Sequence, residues 1–308
     1  MPLLLQHLLH NAAIHLASRP QSHPLYKLIK CAAKRNVKHH KTALHHILHG
    51  LKINPERIET ISPHPLHPTS LTLFITDIAS SKEEAKEEFQ KCTSHMMVFT
   101  DGSSHNGQVG AAAALFINHN HVATLRHHLG KATEHTVFKA EAVGLLAAQL
   151  LTQRREASFP ATIFADNQAV IRSSTHPMAK PGHYLLTHFR KLMKCLQNKK
   201  KVNSEALSLN WIAGHADILG NELADWEARL AAISQTNATP QCLLPKILCK
   251  PLLLSISAAK QDHNARIQNE WQRLWKWSPH YDHMATIDPS LPSRAFTKLM
   301  KHLGKKHT

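Results

Sequence analysis

The stretch Met96-Met97-Val98-Phe99-Thr100-Asp101-Gly102-Ser103-Ser104 constrains this chain more than any other. A short apolar run with Val and Phe, closed by a Gly/Ser turn signal, predicts a strand over 96–101. Asp101 falls at its end. A lone aspartate there has a plain explanation, since Asp initiates turns. It also has a chemical one, because a buried carboxylate is costly unless something compensates it. Three later acids favour the chemistry. Glu141 lies in the apolar, alanine-rich run 136–148. Asp166 closes a second strand-like run, Ala161-Thr162-Ile163-Phe164-Ala165. Asp225 lies in Gly220-Asn221-Glu222-Leu223-Ala224-Asp225, just after Gly214-His215. The chain is acid-poor, with 21 Asp and Glu against 37 Lys and Arg, so four acids in such contexts are not an effect of composition.

Taken in order, the motifs are Thr-Asp-Gly-Ser at 100–103, Ala-Glu-Ala at 140–142, Ala-Asp-Asn-Gln at 165–168, and Gly-His followed by Gly-Asn-Glu-x-Ala-Asp between 214 and 225. In order and spacing the stretch from about 96 to 232 resembles a ribonuclease H domain of the retroelement kind. The resemblance covers a little under half of the chain. The flanks resemble the connection before, and the segment after, ribonuclease H in non-LTR retrotransposon reverse transcriptase polyproteins of fungi. No part of a polymerase palm is present, so the chain reads as a piece or remnant of a larger protein.

The formal charge is +16 and is spread along the chain: +5 over 1–94, +4 over 95–235 and +7 over 236–308. Such a field suits a polyanion, so nucleic acid is the expected partner, its backbone held by a basic surface. The five cysteines form no C-x-x-C pair and are odd in number, which points to reduced thiols inside the cell, in nucleus or cytoplasm, and not to a secreted disulfide framework. Most of the 27 histidines read as surface residues, because the doublets 39–40, 45–46 and 127–128 lack cysteines at zinc-finger spacing. No apolar run reaches bilayer length, and the opening segment lacks a basic region and a cleavage site, so neither a membrane partner nor a signal peptide is expected.

The expected organisation has three parts. Residues 1–94 form a helical, connection-like extension and linker, with helices near 5–16, 25–33, 42–49 and 82–90 and a proline loop over 55–68. Residues 95–235 form the ribonuclease H domain. Residues 236–308 form a basic extension in which Ile267, Trp271, Leu274 and Trp275 share one helical face, suited to docking or to stacking on bases. The central part reads as strands 96–101, 109–117, 120–129, 161–166 and 206–213, with helices 136–153, 167–174, 183–197 and 219–234; Asn106-Gly107 marks a hairpin. The fold class is therefore α/β: a ribonuclease H-like mixed five-stranded sheet, three antiparallel strands then β/α units, with helical N- and C-terminal extensions.

If the strands ending at Asp101 and Asp166 are neighbours, their spacing suits carboxylates that share divalent ions. The resemblance implies that Asp101, Glu141, Asp166 and Asp225 hold two Mg²⁺ ions, with Mn²⁺ a substitute, one ion activating water and the other stabilising the leaving 3′ oxygen. It assigns proton transfer or product release to His215, a side chain that exchanges protons near neutral pH. It implies an RNA–DNA hybrid as substrate, contacted through Gly102, Ser103, Thr136, Asn167 and Gln168, with Glu141 also facing the RNA strand. Val137 and Phe138 depart from the asparagine pair of many cellular members. The run from Arg190 to Lys201 is a candidate for the DNA backbone. Two rivals stand beside an RNA-cleaving enzyme: a decayed domain that only binds nucleic acid, and another nuclease of the same fold such as an integrase-like one.

Overall fold

The computed structural model describes residues 3–35, 39–62, 73–147, 150–151, 159–176 and 178–287. Its main compact unit runs from His10 to Gln261, and a second comprises Met1–Leu9 with Asp262–Thr308. In the main unit a six-stranded sheet is built from β1 (Ile75–Asp77), β2 (Met96–His105), β3 (Gln108–Ile117), β4 (Asn120–Lys131), β5 (Ala161–Ala165) and β6 (Leu207–Trp211). The strand order is β1-β6-β5-β2-β3-β4. β2, β3 and β4 are antiparallel, while β2, β5, β6 and β1 run parallel. The expected count of five is corrected to six. β1 escaped the sequence reading because it is three residues long and has no alternating pattern of its own; it adds in parallel to the outer edge of β6.

The strands show the period of two expected of a sheet covered on both faces. Met96, Val98, Ala161 and Ile163 enter one apolar cluster, whereas Met97, Phe99 and Phe164 enter the other. The first face is covered by α5 (Val137–Gly144) and α7 (His183–Lys200), the latter through Leu185, Leu186, Phe189, Met193 and Leu196. The second face carries α8 (Leu219–Ile233). α6 (Gln168–Thr175) joins the first cluster through Val170 and Ile171. Before the sheet come α1 (Leu3–Ala17), α2 (Tyr26–Lys34) and α3 (Ala43–Gly50), α4 (Lys82–Lys91) lies between β1 and β2, and after the sheet come α9 (Ile256–Lys276) and α10 (Tyr281–Ile287). α3 takes in Gly50 and is capped by Leu51.

Backbone-to-backbone approach is possible because small residues sit at the crossings. A Cβ on Gly102 would lie 2.5 Å from the Glu141 nitrogen of α5, and one on Gly110 would lie 2.2 Å from the Ala232 nitrogen of α8. Only glycine fits either position. The helix expected over 136–153 is interrupted: α5 ends at Gly144, a 3₁₀ turn follows at Leu145–Ala147, and Leu150 and Leu151 are again helical. Residues 148–149 and 152–158 lie outside the described residues, as do 63–72, which take in the end of the proline loop, and the chain from 288 onward.

The flanks are not bare linkers. Leu244 and Leu248 join the main apolar cluster, and Ile58 bridges in parallel to Leu254. In α9, Trp271 and Trp275 stack with centroids 5.6 Å apart, and Trp277 is 85% exposed. Among the described residues no helix is long and apolar enough to cross a membrane.

Candidate active site

Asp101 does not end its strand. β2 continues to His105 because its hairpin with β3 closes only at His105–Gln108, whereas the parallel pairing with β5 stops at Thr100–Ala165. Asp101 and Asp166 therefore each stand one residue beyond the end of that pairing. This is the carboxyl end of parallel strands, where open α/β sheets place their ligand sites. Glu141 arrives from α5, the helix that Gly102 admits against β2. One carboxylate oxygen each from Asp101, Glu141 and Asp166 lies within 4.8 Å of the others.

Two of the three carboxylates are buried, Asp101 at 7% exposure and Glu141 at 5%. Burial, reinforced by the charges of Asp166 and Asp225, pushes the Asp101 carboxyl up to about 7. Burial and then Asp101 and Asp166 hold Glu141 well above the usual carboxylate range, although the Gly102 amide and the Asn167 side chain oppose the shift. Asp166 is also raised, by burial first and Asp225 second. Asp225 thus acts on both aspartates from α8. On the other side of Asp225, a ring nitrogen of His215 and a carboxylate oxygen of Glu222 lie within 4.8 Å of it and of each other. His215 is exposed, on a turn in which both it and Asp217 have positive φ.

All five residues expected to carry chemistry lie at this one end of the sheet. Glu222 was not among them. Its signal was its spacing, since it precedes Asp225 by three positions and so shares its helical face. A second omission is Trp211, whose Nε1 donates to the Asp166 carbonyl oxygen at 2.9 Å and fixes the backbone that carries that carboxylate. The expected substrate contacts surround the cluster in sequence, and several also have local work. Thr136 caps α5 by accepting from the Lys139 amide, Asn167 caps α6 by accepting from the Val170 amide, and Gln168 accepts from Arg172 at 3.1 Å. Ser103 is half-buried and follows Gly102 on β2.

One sequence expectation is corrected. Arg190 does not face solvent with the lysines after it: it is buried, and its Nη1 donates to the Ser174 and Thr175 carbonyls at the end of α6. Most of the described histidines are exposed or half-buried, as expected, but some are not. His10, His135, His183 and His263 are buried, and His128 Nδ1 lies 2.8 Å from the Ala231 carbonyl.

The donor set fits a hard divalent cation. Glu141 Oε2 is buried with no hydrogen-bond partner, and three mutually repelling carboxylates point at one small volume. Oxygen ligands of this kind suit Mg²⁺ or Mn²⁺.

The fold and its site define a class: an α/β domain with an acidic cluster where its parallel strands end. Residues 93–233 of this chain match the family model for RNase H, and the sheet is of that fold, with one strand more than expected. No curated protein matches the sequence. Among solved structures the chain is similar to RNase H1 from the halophilic archaeon Halobacterium salinarum NRC-1, at 20% identity and TM-score 0.32, over 44% of this chain and 96% of that one. It is similar to the N-terminal RNase H domain of Rv2228c from Mycobacterium tuberculosis, solved as a fusion with maltose-binding protein, at 19% identity and TM-score 0.31, over 46% and 98%. It is also similar to LC11-RNase H1 in complex with an RNA/DNA hybrid, at 14% identity and TM-score 0.34, over 45% and 99%.

Proposed function

We propose that the chain is a divalent-metal-dependent endonuclease that hydrolyses the RNA strand of RNA–DNA hybrids. The observation that carries this reading is the meeting of the Asp101, Glu141 and Asp166 oxygens within 4.8 Å, inside the segment that matches the RNase H model. In this reading Asp101, Glu141, Asp166 and Asp225 hold two Mg²⁺ ions, which supply charge to a water nucleophile and to the leaving oxygen when bound. The chain's own groups do the rest. Trp211 fixes the Asp166 backbone, the Gly102 amide and Asn167 orient Glu141, and His215 exchanges a proton with solvent beside Asp225. Gly102, Ser103, Thr136, Asn167 and Gln168 lie along the hybrid, where the 2′-hydroxyl marks the RNA strand. Residues 95–235 hold this machinery, and the flanks add basic charge; their resemblance to retroelement polyproteins supports a parent reverse transcriptase as the source.

The test compares cleavage of hybrid, RNA duplex and DNA duplex with Mg²⁺. Hybrid alone should be cut. Asp101→Asn and Asp166→Asn should each lower cleavage by orders of magnitude while hybrid binding survives. Full activity in either variant overturns the assignment; a wild-type chain that binds hybrid without cutting it supports the decayed-domain reading.

A further inference from the structure

Two oppositely charged side chains are buried away from the carboxylates, at the foot of the helix that carries Glu141. Lys139 has no exposed surface and Glu59 has 1%. Lys139 Nζ donates to the Leu253 carbonyl oxygen, lies 3.3 Å from His135 Nδ1, and stands 5.6 Å over the Tyr184 ring. Glu59 Oε2 accepts from the Gly182 amide at 2.9 Å, and Oε1 accepts from the Ile256 amide at 2.8 Å. Gly182 is the residue before α7, with φ +80°, and Ile256 is the first residue of α9.

Stability alone is a poor reason for such a cluster. Burying two charges is expensive, and well-packed apolar residues of the same size generally serve as well. What the cluster does is fasten four segments to one point. Around it the Glu59 amide donates to the Leu254 carbonyl at 3.1 Å, the Leu254 amide to Arg57 at 2.7 Å, and the Ser255 amide to Glu134 at 2.8 Å. The element at the centre is α5, eight residues long and too short to hold itself. Lys139 lies in its first turn, two residues before Glu141.

We propose that Lys139 and Glu59 are positioning residues for Glu141: they pin the first turn of α5 so that its carboxylate faces Asp101 and Asp166. Glu59, Leu253 and Ile256 all lie outside residues 93–233, so segments beyond the RNase H match complete the site. This rests on the reading of the carboxylates as a metal-binding set. It differs from a general stabilising role in what it changes, namely the affinity of the site for the ion.

The test uses the full chain and measures Mn²⁺ binding by electron paramagnetic resonance, together with hybrid binding without metal and cleavage with it. Lys139→Met and Glu59→Gln should each weaken Mn²⁺ binding by about tenfold or more, the usual effect of losing a group that orients a ligand. They should lower kcat and leave metal-free hybrid affinity unchanged. Folded variants that bind Mn²⁺ with the wild-type Kd overturn the proposal. If both variants fail to fold, the cluster holds the fold and does not aim Glu141, which also overturns it. A wild-type chain that binds no Mn²⁺ fails the functional reading itself, a result distinct from binding that the variants leave unchanged.

Discussion

Asp101, Glu141, Asp166 and Asp225 were legible as single residues because each interrupts an apolar context where a charge has no local reason to be. His215 was legible only through its spacing from Asp225, since by composition it is one histidine among 27. In the structure it is exposed and close to Asp225 and Glu222. His215→Ala should therefore slow turnover by roughly 10²-fold, the low end of what a positioned acid or base contributes, and leave measurable cleavage. An unchanged rate in a steady-state assay would return it to the background of surface histidines. Arg190 was misread because a basic run along a helix looks the same whether its residues face solvent or cap a neighbouring helix. Its burial beneath Ser174 and Thr175 depends on where α6 ends, which no local pattern announces.

At the scale of elements, the strands of the central segment were read to within a few residues, because alternation and the Asn106-Gly107 turn are local signals. The ends were not. β2 outruns its expected limit because its length is set by pairing with β3, not by its own hydrophobicity. α5 gives way at Gly144 to a 3₁₀ turn that its apolar run does not announce; it packs over β2 at a distance only Gly102 permits. Gly102→Ala should push α5 outward, costing about 1–3 kcal/mol as other overpacked sites do, and should depress cleavage more than an equally destabilising change elsewhere. Thermal melting beside a rate assay separates the two effects; normal activity at normal stability would mean that α5 has room to spare.

At the scale of the molecule, the sequence divided the chain by charge and proline, and it gave no sign that Ile58, Glu59, Leu244, Leu248 and Ile256 pack within the main unit. Contacts such as Glu59 with Gly182 and Ile256 join residues more than a hundred positions apart and leave no periodic trace. Packing of this kind has a pH signature. Burial, then Lys139, His127 and His128, lowers His135 from 6.5 to about 3. The unfolded chain takes up a proton near 6.5 and the folded chain only near 3, so the unfolded state binds more protons in between. The stability this neutral imidazole contributes is complete above 6.5 and drains away as pH falls toward 3. His135→Asn, which keeps an acceptor for Lys139 and removes the titration, should flatten the fall in melting temperature across that window; an unchanged slope would place the acid sensitivity elsewhere. A 95–235 fragment keeps all four acids but loses Glu59 and the Leu253 carbonyl, so it should cleave hybrids more slowly than the whole chain. Without the +5 and +7 of the flanks it should bind them more weakly, with a shallower dependence on salt. A salt slope equal to that of the whole chain would mean that the flanks do not touch the substrate.

The short strand β1 also bears on how such a fragment behaves in a tube. Three residues, Ile75 to Asp77, cover the outer edge of β6 and end it in an acid. A chain cut at residue 94 strips that cover and leaves Leu207 to Trp211 as a bare strand edge, an open invitation to a second copy. Concentration-dependent clumping of the fragment would then reflect a missing chaperone-like cap within the chain, and a longer fragment begun before residue 73 would stay in solution.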